Sequence, residues 1–474
     1  MQKYQRITPE IVEKLKAIVG ERYVKTDPDV LEQYKTDYET NPSLFHMPEV
    51  AVKPANAEEI SQIVKLANAE HFPITVRSAG TSLADGAIPV YGGLVLLMER
   101  LDHILELNEE GMYMTVEAGV RTVDLQQEAK KHGLLYAGDP SSAESCLIGA
   151  NLATNAGGLK AVRYGVTRHQ VYSLEMVTPT GDIVECGSIL KKCTTGYDLE
   201  QLIIGSEGTL GIITKVTVKL EPLPPYRFDV LAVYTDPSKA LHMVPKLLKA
   251  GINPTSVEYM DNSYVRATAA YCKYDNVPHH DDGVYVIITV ETFREDELDS
   301  KMESVYDICD QSGAVEVLEA DDRIWNMRRH IQVSCEMESK VFLTDDVVVP
   351  VHKIATAIEA IMEIGKQFPF TVKINAHIGD GNMHIVLLKK DMPDDEWNRA
   401  VDAFHEKVYA YAYSVGGRLA GEHGIGAKKL KYMEEFTPKG ELKVMKTIKR
   451  AMDPNNILNP GKLIDASTQE GEGQ

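Results

Sequence analysis

Apolar residues recur at helical spacing in several stretches of the first half of the chain. In NAEEISQIVKLANAEH, Ile60, Ile63, Val64 and Ala67 fall on one face, and Asn56 stands where a cap belongs. ITPEIVEKLKAIVG predicts another helix, with Thr8 as cap, Pro9 in the first turn and Gly20 as stop. TVDLQQEAKKHG predicts a third capped helix, closed by Gly133. VAVKP, FPITVRS, GGLVLLME and MYMTVEAG read as strands between them. This alternation up to about residue 220 implies an α/β or α+β first domain. At VKLEPLPP, Pro222, Pro224 and Pro225 break any strand and predict a boundary. Strands such as GVYVIITVETF and helices such as VHKIATAIEAIMEIGKQF then predict a second domain. A glycine cluster, GGRLAGEHGIG, a helix and DPNNILNPGK follow. The last residues, DASTQEGEGQ, predict disorder. The expected organisation is 1–222, 223–412 and a C-terminal segment 413–474.

Composition narrows the class. A chain of 474 residues has room for two or three domains. No run of 18 or more apolar residues occurs, and the N-terminus lacks the apolar core of a secretory signal. The net charge of −20 argues against nucleic acid and anionic membrane surfaces as partners. Six cysteines, none in a C-x-x-C pair, argue against a disulfide framework and against an iron–sulfur cluster held by this chain alone. Reduced, buried thiols in a cytoplasmic protein are the expectation.

Candidate chemistry lies in glycine-rich loops and in one histidine pair. RSAGTSLADG, IGANLATNAGG and GSEGTLG interleave glycine with Ser and Thr, which suits backbone N–H groups to an anion such as phosphate. None is the G-x-G-x-x-G fingerprint or the P-loop. Each alone suits a simple turn, and the three together point to a nucleotide-like ligand. HIGDGNMH places His377 and His384 around a turn. A symmetric hairpin over Gly379–Asn382 would set Ile378 opposite Met383 and His377 opposite His384. The alternation of TVKINAH puts Lys373, Asn375 and His377 on a polar face, so both imidazoles could share an ion. The same parity also suits a stacked pair of surface histidines. GEHGIG adds a carboxylate, Glu422, and a third imidazole, His423. Two His and one carboxylate are a common catalytic metal set.

VRSAGTSLADGAIP, GDPSSAESCLIGANLATNAGGLKAVRYGVTRHQV and LIIGSEGTLGIITKVTVKL together resemble the FAD-binding domain of the vanillyl-alcohol oxidase/PCMH type flavoproteins. HIGDGNMH, GEHGIG and DPNNILNPGK are similar to the D-lactate dehydrogenase and glycolate oxidase large-subunit group. The resemblance covers almost the whole chain, in order. It implies an α+β protein: that FAD-binding domain plus an α+β cap domain, with the C-terminal segment returning to the FAD domain. It implies that Ala79, Gly80, Thr81, Ser82 and Leu83 cradle the FAD pyrophosphate. Pro140, Ser141, Gly149, Thr154, Asn155, Gly157 and Gly158 would line the ribityl chain and isoalloxazine. Ile213 would meet the adenine side, and Asn459 would approach the flavin from the tail. Ala79 departs from the Gly-Gly-Gly loop of many relatives, and the absence of a histidine in this loop implies non-covalent FAD.

The same resemblance makes His377, His384 and Glu422 the metal ligands, with zinc first and iron or manganese as alternatives. It leaves His423 as the base and Arg328, in WNMRRHI, as the binder of the substrate carboxylate; a helix surface charge is the competing reading of Arg328. A 2-hydroxy acid would lose its hydroxyl proton to His423 and its C2 hydride to flavin N5. Thr344 and Val386, at positions where dicarboxylate-specific relatives carry polar residues, favour a small monocarboxylate, D-lactate ahead of glycolate. A glycolate oxidase subunit and a D-2-hydroxyglutarate-type dehydrogenase are the alternatives; an oxygen-reducing oxidase and a non-catalytic subunit are the rival classes. The group also implies a partner that takes the electrons, an electron-transferring flavoprotein or an iron–sulfur subunit.

Overall fold

A computed structural model describes residues 4–38, 41–275, 277–278 and 280–465. The segment expected to be disordered lies almost wholly outside the described residues. The chain forms two compact units. The first comprises Met1–Ala156, Val166–Leu223 and His423–Gln474, and the second comprises Gly157–Gly165 and Pro224–Glu422. The first break falls beside the proline-rich stretch. The return to the first unit begins at His423 rather than at 413. The nine-residue segment Gly157–Gly165, read in sequence as part of the first domain, packs with the second unit. Arg163 ties it there, with Nη1 3.2 Å from Thr255 Oγ1 and 2.8 Å from the Glu291 carbonyl.

In the first unit, the helix Pro9–Val19 is capped by Thr8 and stopped by Gly20, and Ala57–Glu70 is capped by Asn56 Oδ1 on the Glu59 N–H. Ile60, Ile63, Val64 and Ala67 are fully buried, so the apolar face read from spacing is the packed one. At roughly 1.5–3 kcal/mol for each large side chain removed from water, that stripe outweighs any propensity difference along the helix. Thr122–Lys131 is a helix too, but Thr122 is its first residue. Arg121 precedes it without a side-chain cap bond.

Two larger sheets and a two-stranded one lie in this unit. In one, the strands run Val24–Lys25, Val50–Val52, Leu94–Leu97, Ile74–Arg77, the last three parallel. The other is a five-stranded antiparallel sheet from Ile104–Asn108 to Ile183–Gly187. Pro222 does not end strand pairing: Glu221–Pro222 pairs with Leu134–Leu135 as a two-residue ladder. The tail closes on Ile74, whose N–H bonds the Ile457 carbonyl at 2.8 Å and whose carbonyl accepts Asn459 N–H at 2.7 Å.

The second unit is one seven-stranded antiparallel sheet with helices. Its order is Glu316–Glu319, Tyr226–Tyr234, Val284–Thr292, Ser256–Asp261, Thr371–His377, Asn382–Leu388, Phe342–Val348. Met260, Tyr264, Trp325, Cys335 and Val386 share one core cluster, so strands and helices pack over the same face. The face of Thr371–His377 read as polar is therefore buried: Lys373, Asn375 and His377 are each under 5% exposed. Lys373 meets this cost with an ion pair to Glu338 and a seat over the Tyr264 ring. Of the cysteines, Cys146, Cys186, Cys309 and Cys335 are buried thiols, but Cys193 is exposed and Cys272 half-buried.

Candidate active site

Strand pairing in the second unit fixes the site. His377 lies opposite Glu258 on one neighbouring strand and opposite Asn382 on the other. His384 lies opposite Asn375 and Asp346. Opposite residues share a face, and so do residues two apart on one strand. Glu258, His377, Asn382, His384 and Asp346 therefore project from the same face. The direct pairing of His377 with His384 expected from a symmetric hairpin is not the one formed. Gly381 takes the left-handed conformation (φ +91°) that closes the turn, so the turn ends at Gly381 and pairing resumes at Asn382. The two histidines are diagonal neighbours, and the shift of register by two keeps them on one face.

Their rings stand nearly perpendicular, at 86°, with the two Nε2 atoms 3.1 Å apart. Glu422 Oε1 lies 3.2 Å from His384 Nε2 and 3.6 Å from His377 Nε2. Donor atoms about 2.0–2.2 Å from one ion, at angles of roughly 90–110°, stand about 2.8–3.6 Å from each other. The three separations fall in that range. Among the described residues, these three side chains form a buried cluster that could hold an ion.

The surroundings prepare the nitrogens for that role. His377 Nδ1 sits 2.8 and 2.9 Å from the two oxygens of Glu258. A carboxylate accepts, so Nδ1 carries a proton, and Nε2 is the ring atom turned toward His384 and Glu422. Glu258 is fully buried, with Arg328 Nε and Nη2 2.9 and 2.6 Å from its Oε2. Burial pushes the Glu258 carboxyl up, but the charges of His377 and Arg328 outweigh it and hold it below its ordinary value. Burial alone would depress His377; the Glu258 and Glu422 carboxylates raise it well above the usual imidazole value. Asp346 orients the backbone of Glu422: its Oδ2 accepts the Gly421 and Glu422 N–H groups at 2.6 and 2.8 Å. Gly157 packs on Glu422 so closely that a Cβ there would lie 2.6 Å from Glu422 Oε2.

Sequence reasoning missed Glu258 and Asp346. The signal for Glu258 was one acid inside the apolar strand SVEYMD; a buried charge implies a partner. For Asp346 it was the Asp pair inside FLTDDVVVP. Arg328 is not the surface charge of the competing reading. It is buried against Glu258, and its Nη1 makes no hydrogen bond to another described residue.

The first unit carries the loops. Ala79–Leu83 follow the strand Ile74–Arg77 and stay partly exposed. Their N–H groups make no hydrogen bond to another described residue, which leaves a row of donors fit for a phosphate group. Gly80 has φ +72°, and a Cβ there would meet the Arg77 guanidinium at 2.1 Å. Ser82 Oγ accepts the Ala84 and Gly86 N–H groups and shapes the turn. Pro140 and Ser141 lie in a loop with accessible surface. Gly149 is buried and packs on Ala118, to whose carbonyl it donates at 2.8 Å. Thr154 Oγ1 donates to the Ala150 carbonyl, and Asn155 ends the helix Ile148–Thr154 in the left-handed conformation. Ile213 lies in the core of this unit. Asn459 is buried, with Nδ2 2.6 Å from the Glu207 carbonyl. Gly157 and Gly158 belong to the second unit, and His423 is the first residue of the returning segment.

Comparison with known proteins agrees with both halves. Residues 48–187 match the family described as FAD binding domain, and residues 223–463 match FAD linked oxidases, C-terminal domain. The chain is 35% identical over 471 residues to a D-lactate dehydrogenase of Anaerostipes hadrus, covering 97% of this chain and 98% of that one. It is 36% identical to the glycolate oxidase subunit GlcD of Bacillus subtilis, over 90% of this chain and 91% of that one. A D-2-hydroxyglutarate dehydrogenase of Stutzerimonas stutzeri is 32% identical over 97% of this chain and 99% of its own. Among solved structures, p-cresol methylhydroxylase with substrate bound superposes with a TM-score of 0.80, covering 97% of each chain at 18% identity, which shows the shared fold.

Proposed function

The chain belongs to the FAD-linked oxidases, and from that premise we propose that it oxidises a small D-2-hydroxy acid, D-lactate first, to the 2-oxo acid. The observation that carries this reading is the buried convergence of His377, His384 and Glu422, with the His377 tautomer set by Glu258. Ala79–Leu83 would hold the pyrophosphate of non-covalent FAD, and the convergent trio would hold a divalent ion, zinc ahead of iron or manganese. When bound, FAD supplies the two-electron acceptor and the ion supplies Lewis acidity toward the substrate hydroxyl.

The chain's own residues do the rest. Glu258 keeps the proton on His377 Nδ1, and Asp346 fixes the backbone of Glu422. Arg328 has Nη1 left to pair with a substrate carboxylate. His423, next in the chain to a ligand, takes the hydroxyl proton as C2 gives up its hydride. Both hydrogens of the alcohol are thus accounted for, and a 2-oxo acid remains. Among the described residues no helix is long and apolar enough to cross a membrane. The two electrons would pass to a partner protein in the cytoplasm, an electron-transferring flavoprotein ahead of an iron–sulfur subunit. The word subunit in the name of the B. subtilis relative supports a partner.

One observation favours a dicarboxylate as second reading. Val386 lies opposite both Thr344 and Lys373, one step along the face from His384. A buried cation thus stands in the row where the sequence showed no partner for a second carboxylate. Its ion pair with Glu338 offsets that charge already, so D-lactate remains the first choice.

Anaerobic titration of the purified flavoprotein tests both. D-lactate should bleach the flavin band rapidly and L-lactate should not. Faster bleaching by D-2-hydroxyglutarate would shift the substrate to the dicarboxylate, and no bleaching by any 2-hydroxy acid would end the proposal.

A further inference from the structure

Glu207, in GSEGTLG, is a carboxylate without an assigned task. It is 7% exposed and takes a left-handed backbone conformation (φ +52°), which a non-glycine residue adopts only where its surroundings impose it. Its backbone is anchored at both ends: the N–H donates to the Ala153 carbonyl at 2.8 Å, and the carbonyl accepts Asn459 Nδ2 at 2.6 Å. The carboxylate points into the returning segment. Oε1 accepts the Ile425 N–H and Oε2 the Gly426 N–H, each at 2.7 Å. Gly424 packs beside it, and a Cβ there would lie 2.9 Å from Oε1. Lys429 and Lys462 lower the cost of the charge from a distance, and burial still pushes its pKa up. The same segment is tied to the phosphate loop by Lys428, whose Nζ donates to the Leu83 carbonyl at 3.2 Å.

A buried carboxylate is a costly way to hold two backbone amides if stability is all that is required, because a neutral acceptor would leave no charge to compensate. What the carboxylate does supply is direction. Two charge-assisted bonds to consecutive N–H groups fix the peptide planes Gly424–Ile425 and Ile425–Gly426, the second and third after His423. Asp346 holds Gly421 and Glu422 by the same device, one oxygen taking two successive N–H groups. The segment carrying the ligand and the base is therefore pinned before and after by two buried acids, each within its own unit.

We propose that Glu207 is a positioning residue for His423: its two bonds to Ile425 and Gly426 set the backbone from which the base reaches the substrate hydroxyl. This rests on the reading of His423 as the base, and the variants are chosen to separate the two. In the FAD-loaded protein, Glu207→Gln keeps the size but replaces one acceptor by an N–H donor. Its limiting rate of flavin reduction by D-lactate should fall about 10²-fold, the scale of a misplaced reacting group, with little change in half-saturation. FAD and metal content should stay as in the wild type. Hydrogen exchange of the Ile425 and Gly426 amides should accelerate, while exchange in the Thr371–Leu388 hairpin stays unchanged.

Glu207→Gln combined with His423→Ala should be no slower than His423→Ala alone, because both remove one function. Gly424→Ala, which crowds the carboxylate from the other side, gives a second reading should Glu207→Gln fail to fold. A full-rate Glu207→Gln protein overturns the proposal, as does a double variant slowed by the full product of the single effects. Full speed in His423→Ala overturns the base itself. A slow His423→Ala beside a normal Glu207→Gln removes Glu207 alone.

Discussion

In the second unit His377 and His384, two of the three convergent side chains, stand on strands, whereas the candidate phosphate-binding residues of the first unit stand on a loop. His377, His384, Glu258 and Asp346 take their directions from four paired strands, where a side chain's face follows from parity. Ala79–Leu83 take theirs from a turn in which Gly80 and the Ser82 hydroxyl decide the path. A strand offers a rigid row of side chains, which suits an ion that needs donors at fixed separations. A loop offers bare N–H groups, which suits a phosphate. The comparison predicts that damage to one unit's machinery leaves the other unit's ligand in place.

The largest effect should come from Glu258→Ala. It strands the Arg328 guanidinium in the interior and frees His377 Nδ1. Removing one partner of a buried pair costs about 3–5 kcal/mol, so the denaturation midpoint should fall steeply. Next comes Asp346→Ala, which leaves two half-buried N–H groups without their acceptor. Metal affinity should drop about 10–100-fold with FAD still bound, read by competition with a chelator. Loss of FAD along with metal in this variant would break the separation of the two units' roles. In the opposite direction, Gly80→Ala puts a Cβ against Arg77 at a left-handed position. About 1–3 kcal/mol of strain there predicts FAD binding weaker by roughly 10-fold or more, with metal content unchanged.

Strand parity made part of this legible and loops did not. TVKINAH alternates, so the shared face of His377 and His384 followed from spacing alone, even though the register was wrong by two residues. The register was lost because the choice of Gly381 over Asn382 as the closing residue depends on the local turn, not on the hydrophobic pattern. Glu258 is 119 residues from His377 in sequence, and no local pattern connects them. The same holds for Glu207 and Gly426, which are 219 residues apart. The helix Ala57–Glu70 was readable to its cap because both cap and stripe are local. Segment Gly157–Gly165 was misassigned because its place depends on Arg163 finding Thr255 and Glu291 far along the chain. In the loops, spacing points to no residue roles, and those proposed for Ala79–Leu83 rest on family resemblance.

An effect confined to alkaline pH concerns Lys462, fully buried in the first unit with Nζ 2.6 Å from the Ile88 carbonyl. Burial lowers its pKa from 10.5 to about 8. The folded protein therefore releases this proton at lower pH than the unfolded chain. The cost of the buried charge is fully present below pH 8, and stability on this group's account rises between about pH 8 and 10.5. The shift corresponds to at most about 3 kcal/mol across that window. Lys462→Met should remove this pH-dependent rise, as measured by urea denaturation of wild type and variant at successive pH values. An unchanged slope would show that Lys462 keeps its proton in the fold.

Elemental analysis of the purified flavoprotein, wild type beside His377→Ala, with D-lactate reduction followed in the same samples, tests the central claim most directly. The convergence of His377, His384 and Glu422 predicts about one divalent ion per wild-type chain, its loss in the variant, retained yellow colour in both, and flavin reduction in the wild type alone. Rapid reduction by a wild-type preparation holding less than roughly a tenth of an ion per chain would contradict it, because the histidines would then serve the fold and not a metal.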